Sequence, residues 1–423
     1  MNLVVAEVSR FRSSQMARNA SWLVVGQGVG LVLQAVYFIL LARLLGPIEY
    51  GVYAGAFAFA SLVAPYGPLG TGTVFLRYVS SDRDKFSSYW GNILVVTTVV
   101  GGGMVLALAA LGPHILNPAS AALVLLAAIS NCVFAQIIVE ASRVFQTFEQ
   151  MRTTALLNLL TSAVRTLASA VMLLALHRAT AWQWAVVSTG VSGLAAMATV
   201  TTITVRFGRP RFSMGIFFRH SLEGVGYAAA MSTASIYNDL DKTMLSHYGM
   251  NRDNGIYSMA YRIIDIATIP IFSIRDAAMP RLFHLGRSGL GASAALAHRL
   301  LRRGAALAAL ASVAMFTLAG VIPQIVGHAF ADSVLALRWL CLIPLFRSVH
   351  QMTGAALTGA GMQNWRTGSQ VSGAVLNFGL NLWLIPLCGW RGAAWSSLAT
   401  DGALAALCWG MVQFHLRRRE TLA

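Results

Sequence analysis

The chain has 423 residues, of which 57% are hydrophobic and only 11% charged. Soluble domains average roughly 25% charged residues, so this composition leaves no room for a sizeable soluble domain and predicts an all-α polytopic membrane protein. Lys and Arg number 31 against 15 acids, a net charge of +16; that balance would suggest nucleic acid in a soluble chain, but no basic stretch here lies in a soluble domain, and no nucleic-acid partner is expected.

The first 20 residues are polar and basic, and the apolar run after them is too long for a signal-peptide core, so the first span is expected to stay uncleaved. Apolar runs then predict twelve transmembrane helices near 21–42, 50–74, 91–112, 119–140, 154–176, 182–205, 223–246, 256–279, 304–325, 332–353, 368–387 and 392–414. Breaks fall at Gly46-Pro47, Gly112-Pro113, Asn117-Pro118 and from Gly208 to Pro210. The connections test this map. One side collects Arg10, Arg12 and Arg18 of the N-terminus, Arg77, Arg83 and Lys85, Arg143 and Arg152, and the loop arginines from Arg206 to Arg219. It also collects the set from Arg281 to Arg303, then Arg366, and finally Arg417, Arg418 and Arg419 of the tail. The other side holds only Arg43, Arg178, Arg252 and Arg391. This asymmetry places both termini in the cytoplasm. Residues 282–303 form the longest connection. Within it "ASAALAHRLLRRG" reads either as a basic amphipathic helix on the inner leaflet or as a plain positive-inside linker.

Motifs for chemistry are missing. Cys132, Cys341, Cys388 and Cys408 are far apart and suggest neither a disulfide framework nor a zinc site. The nine histidines show no ligand spacing, and no HExxH, GxSxG or P-loop occurs. "GQGVG" (26–30) lies inside a span and reads as helix packing. "NAS" (19–21) fits a glycosylation pattern but falls on the cytoplasmic side. Neither a cofactor nor a metal is expected, and the chain does not read as an enzyme.

Two stretches echo each other. "ARLLGPIEYGVY" and "DKTMLSHYGMNRDNGIY" pair Arg43 with Lys242, Gly46 with Gly249, Gly51 with Gly255, and Tyr53 with Tyr257. "EQMRT" (149–153) and "QNWRT" (363–367) echo in the same order. Two echoes about half a chain apart suggest parallel repeats. The halves 1–207 and 208–423 are therefore expected to form two six-helix lobes.

The chain resembles the polysaccharide and O-antigen-type flippases of the multidrug/oligosaccharidyl-lipid/polysaccharide exporter superfamily. The residues that carry the resemblance are "NASWL" (19–23), "ARLLGPIEYGVY" (42–53), the "DKTML" to "GIYSMAYR" stretch (241–262) and "LNFGLNLWLIPLCGWRGAAWSS" (376–397). The resemblance implies two six-helix bundles around a central cavity that work by alternating access. It implies a lipid-linked oligosaccharide on undecaprenyl pyrophosphate as substrate, in the bacterial inner membrane. Membrane lipids and other polysaccharide-assembly membrane proteins are the partners it suggests. Two rivals stand beside it. One is a multidrug or metabolite exporter with cation antiport. The other is a membrane polymerase or ligase, which would need a long periplasmic loop that this map lacks.

Charged residues inside the expected spans are the candidates for the work. The cations are Arg165, Lys242, Arg262, Arg275, Arg338 and Arg347, and acids that sit there too include Asp239, Asp241, Asp265, Asp276 and Asp401. One arginine at a helix centre costs about 2.5–3.5 kcal/mol even on a lenient insertion scale, so these side chains need water or a partner. Asp239 lies three residues before Lys242, and Arg262 three before Asp265, so each pair shares a helix face. Arg275 and Asp276 are neighbours and are not expected to face each other. Arg165, Arg338 and Arg347 have no local acid. Arg43, Arg165, Lys242, Arg262, Arg338 and Arg347 are the candidate cavity cations for a pyrophosphate or acidic sugar, because guanidinium makes charge-assisted hydrogen bonds to phosphate oxygens. Asp239 and Asp241 are candidate sites for a coupling H+ or Na+. Polar stripes accompany them: Ser232, Ser235, Asp239, Lys242 and Ser246 on one span, Asn158, Thr161, Arg165 and Ser169 on another, and Gly373, Asn377 and Asn381 on a third. Such stripes fit a hydrated cavity or, alternatively, hydrogen bonding between packed helices.

Overall fold

The computed structural model describes the backbone of residues 2–420 and the side chains of 22, 25–220, 225 and 238–417. Among the described residues every regular element is helical. The chain divides into two compact units, Met1–Leu45 with Phe59–Ser232, and Gly46–Ala58 with Thr233–Ala423.

In the first unit, α1 (Asn2–Ser61) is broken at Gly46, whose φ of 67° and ψ of 174° leave the helical region. Glycine takes a positive φ without the Cβ clash other residues meet, and Pro47 then starts the next helical piece with φ already set. This break is also where the chain passes from the first unit to the second. After the return come α2 (Thr71–Val79), α3 (Phe86–Ile115), α4 (Pro118–Ala121) and α5 (Val124–Ala128). A π-helical turn, Ile129–Phe134, leads into α6 (Ala135–Thr147). Then follow α7 (Met151–Leu176), α8 (Ala181–Phe207), and the first part of α9 (Met214–His247). Thr180 and Gln183 form a capping box that starts α8, satisfying two otherwise orphaned backbone donors. Phe75, Phe86, Trp90 and Phe145 are buried at the centre of this unit, and Phe148 stacks on Phe207 at 4.3 Å.

The second unit holds the end of α9, α10 (Asn251–Gly286), α11 (Leu290–Leu318), α12 (Ile322–Val326), α13 (Asp332–Leu340), α14 (Ile343–Gly359), α15 (Gln363–Cys388) and α16 (Trp390–Glu420). The echoed motifs meet inside this unit. A Cβ on Gly51 would collide with the Asn251 carbonyl, and a Cβ on Gly255 with the Pro47 carbonyl. Each glycine thus faces the carbonyl four residues before the other, a reciprocal close crossing of the kind small residues permit. Asn254 fixes the crossing: its Nδ2 donates to Gly51 O and Lys242 O, both at 3.0 Å.

The basic segment "ASAALAHRLLRRG" (292–304) is neither a separate surface helix nor a loose linker. It forms the first turns of α11, with Leu296 and Ala297 buried in a cluster with Ala355 and Ala356 of α14. Ser293 Oγ donates to Ala356 O at 3.2 Å, while Arg299, Arg302 and Arg303 remain exposed.

Among the described residues, eight helical segments are long and apolar enough to cross a membrane, as a multi-pass membrane protein requires. The first, Val25–Val79, covers the expected spans 21–42 and 50–74 together. The expected spans 223–246, 256–279 and 392–414 fall on α9, α10 and α16, which are not among the eight. α10 carries Arg262, Asp265, Arg275 and Asp276, and α16 carries Asp401 among serines and threonines. Twelve crossings require these three polar helices to cross as well.

Candidate functional site

The second unit buries a connected set of charges where α9, α10, α14 and α16 approach one another. Helical spacing brings Asp239 and Lys242 to one face of α9, and their side chains pair at 3.2 Å. Lys242 Nζ also donates to the Asn238 carbonyl and lies 3.5 Å from Asp241 Oδ1. Asp241 has no exposed side-chain surface. It accepts from the Tyr257 hydroxyl of α10 and from Ser397 Oγ of α16, the latter at 3.3 Å. The Lys242 ammonium sits 4.4 Å from the centre of the Tyr261 ring, a distance at which the ring face attracts a cation.

Arg347 of α14 is the second centre, with 3% of its side chain exposed. Its Nη2 donates to the Tyr261 hydroxyl at 2.6 Å and to Asn238 Oδ1 at 3.0 Å. Its Nη1 lies 3.4 Å from Asp265 Oδ1 and its Nε 3.6 Å from Asp401 Oδ2. One helical turn along, His350 Nε2 faces Asp401 Oδ1 at 3.4 Å. Arg262 and Asp265 pair at 3.6 Å on α10. Three cations and four carboxylates therefore share one largely buried region and pair mainly with one another, although Asp265 keeps 40% of its side chain exposed and the contacts of Asp401 with Arg347 Nε and His350, at 3.6 and 3.4 Å, are ion pairs rather than hydrogen bonds.

The first unit treats its mid-span arginine differently. Arg165 lies on α7, half-buried, with Nη2 3.4 Å from Ser192 Oγ of α8. Its Nε is buried and has no hydrogen-bond partner. Among the described residues no carboxylate pairs with it. Among the described residues of this unit the buried acid is Glu140 on α6, matched instead by Arg143 at 3.5 Å, and Arg143 also donates to Thr73 at 2.9 Å.

The remaining candidates lie elsewhere. Arg43 is exposed near the end of the first piece of α1. Arg338 is exposed on α13, with Nε 3.4 Å from Phe316 O and its guanidinium over the Phe316 ring at 5.5 Å. Lys242, Arg262 and Arg347 are brought together with Asp239 and Asp241; Arg165, Arg43 and Arg338 are not part of that cluster. Arg275 and Asp276, expected to point apart, pair at 2.7 Å. Helical neighbours leave the axis on different faces, but the long arginine bends back, and its Nη1 also reaches Gln351 Oε1 at 2.6 Å.

The polar stripes divide. Asn377 Nδ2 lies 3.3 Å from both Ser396 Oγ and Thr400 Oγ1 of α16, and Asn381 donates to Asn377 at 2.8 Å. That stripe is hydrogen bonding between packed helices. Ser232 and Ser235 lie outside the residues whose side chains are described. Tyr261, His350 and Ser397 are not singled out by the sequence, and Tyr257 is singled out only as the counterpart of Tyr53 in the repeat. The available signal was spacing: His350 is three residues after Arg347, Tyr261 four after Tyr257, and each pair shares one helix face.

The family described as "Polysaccharide biosynthesis protein" matches residues 16–285. No curated protein matches the chain. Among solved structures, the lipid II flippase MurJ in an inward closed conformation superposes with a TM-score of 0.75 at 12% identity, covering 92% of this chain and 87% of that one. An inward-facing multidrug resistance MATE family transporter of the MOP superfamily gives 0.73 at 14% identity, with 94% and 99% covered. A MOP superfamily transporter from Pyrococcus furiosus, described as having a binding pocket of reverse polarity, gives 0.62 at 13% identity, with 94% and 95% covered. At these identities the likeness is one of fold.

Proposed function

This chain belongs to the polysaccharide biosynthesis protein family, and from that premise we propose that it is a bacterial inner-membrane flippase. Its substrate in this reading is an undecaprenyl-pyrophosphate-linked oligosaccharide. The headgroup enters from the cytoplasm, where both termini lie, and leaves to the periplasm by alternating access. The observation that carries the reading is Arg165. A half-buried guanidinium with one hydroxyl neighbour and an unbonded Nε is suited to phosphate oxygens, which accept charge-assisted hydrogen bonds from its fork.

The other proposed cations serve in a different way. Lys242, Arg262 and Arg347 already hold carboxylates, so a phosphate gains their donors only by sharing them. Arg43 and Arg338, both exposed, attract the headgroup from a distance. Asp239 and Asp241 are the proposed seats of a coupling H+ or Na+. Asp239, with 22% of its side chain exposed against none for Asp241, is the more accessible of the two.

The carboxylates of the second unit favour one alternative, a cation-coupled drug or metabolite exporter, since acids there are poised to exchange a small cation. Depletion of the protein separates the two readings. Mass analysis of lipid extracts from depleted cells is expected to show lipid-linked oligosaccharide accumulating on the cytoplasmic face. Unchanged lipid-linked sugars together with altered drug sensitivity would favour the exporter instead.

A further inference from the structure

The second unit contains a polar cleft remote in character from the buried charge cluster. Three helices begin around it: α10 at Asn251, α13 at Asp332 and α16 at Trp390. Two side-chain ties hold these ends together. Asp253 Oδ2 accepts the Trp390 backbone N–H at 3.1 Å, joining α10 to α16. Arg252 Nη2 donates to Asp332 Oδ2 at 3.0 Å, joining α10 to α13. The space between them is about 410 Å3, lined by Asp253, Asp332 and Arg391 on its polar side and by Leu335, Leu387 and Trp390 on its apolar side. That volume falls in the range of small-molecule sites, roughly 300–1,000 Å3.

The chemistry narrows the ligand. Asp332 lines the cleft and stays 54% exposed despite its pairing with Arg252, so carboxylate oxygen remains open there, and the exposed Arg391 adds N–H donors. The lining carries two carboxylates and the Arg391 guanidinium, and Asp332 is already paired with Arg252 beside it, so the charges nearly balance, which disfavours a free anion and a free cation alike. Trp390 is backed by Trp339 at 5.7 Å, and Trp339 stacks on Trp395 at 5.5 Å with an interplanar angle of 4°. A sugar suits this mixture: vicinal hydroxyls donate to carboxylates and accept from guanidinium, while the C–H face of the ring lies on apolar and aromatic surface. The helix ends that form the cleft belong to the arginine-poor side of the positive-inside map, where Arg252 and Arg391 lie.

We propose that the cleft between Asp253, Asp332 and Arg391 is a glycan-binding site on the outer face, which takes sugar residues of the substrate as they emerge. The inference rests on the flippase reading for its orientation and its ligand.

The test uses the full-length purified protein and one probe: the glycan released by mild acid from the lipid-linked pool of depleted cells. Saturation-transfer NMR and titration are expected to detect binding by the unaltered protein. Asp332→Asn and Arg391→Gln each remove an exposed charge, and each is expected to weaken binding about fivefold to tenfold, Arg391→Gln with an unchanged melting temperature and Asp332→Asn with one only slightly lowered by loss of its exposed ion pair to Arg252. Arg303→Gln, exposed at the other side of the map, is expected to bind like the unaltered protein. Asp253 is left intact because it caps α16. Equal binding by all variants, or no binding by the unaltered protein, overturns the cleft assignment while leaving the flippase reading standing. Failure of depleted cells to accumulate any lipid-linked glycan overturns the flippase reading itself, and the inference falls with it.

Discussion

Arg347 in the second unit and Arg165 in the first both set a guanidinium within an apolar helical unit, and the two are treated in opposite ways. Arg347 is nearly fully buried against Asp265, Asp401, Tyr261 and Asn238. Arg165 is half-buried and has a serine hydroxyl in hydrogen-bond range. Breaking a buried ion pair costs about 3–5 kcal/mol, because the surviving charge is left without compensation. An arginine with no acid beside it must draw on water or on a ligand. The difference teaches that charge inside a span is not one signal. A cation whose acids are built in holds helices together, whereas one without them is available for an incoming anion.

The largest expected effect breaks the second unit's side of this contrast. Asp241→Ala removes the acceptor shared by Tyr257, Ser397 and Lys242 and is expected to destabilise the protein by about 3–5 kcal/mol. Thermal unfolding in detergent measures it, and a loss below about 1 kcal/mol would show that the cluster is not structural. Next comes Arg347→Lys. The charge survives but the planar fork that spans Tyr261, Asn238 and two carboxylates does not. The expected loss is about 1.5–3 kcal/mol, and stability equal to the unaltered protein would refute the bridging role.

The same contrast shows how much the sequence could reveal. Asp239–Lys242 and Arg262–Asp265 were legible because helix geometry puts residues three apart on one face. The partners of Arg347 were not, since Asp265 is 82 residues distant in sequence and Asp401 sits on another helix. Pattern reading sees along a helix but not across to its neighbour. The Gly51 and Gly255 echo was visible as a repeat, yet nothing in it said that the two copies would cross each other. Most expected spans were plain from hydropathy. The polar ones on α9, α10 and α16 carry the charges and hydroxyls that pack inside the second unit, and that chemistry is what dilutes their apolar signal.

A smaller effect sharpens the first unit's side. Ser192→Asp would set a carboxylate beside Arg165 and give it the built-in partner that Arg347 has. Export is expected to fall by about tenfold, the equivalent of about 1.4 kcal/mol of lost anion contact. Export at the normal rate would mean that Arg165 does not meet the substrate. The smallest effect is expected at Arg338→Gln, where an exposed side chain should change stability by no more than about 0.5 kcal/mol. A larger drop in the melting temperature would place Arg338 among the structural cations.

The most direct measurement is flipping of fluorescently tagged undecaprenyl-pyrophosphate oligosaccharide in vesicles containing the full-length protein, compared with its Arg165→Gln variant. A flipping rate reduced about tenfold or more, as the loss of a charge-assisted hydrogen bond predicts, with an unchanged melting temperature, is the result expected of an anchor for the headgroup. An Arg165→Gln protein that flips the lipid at the full rate would contradict it.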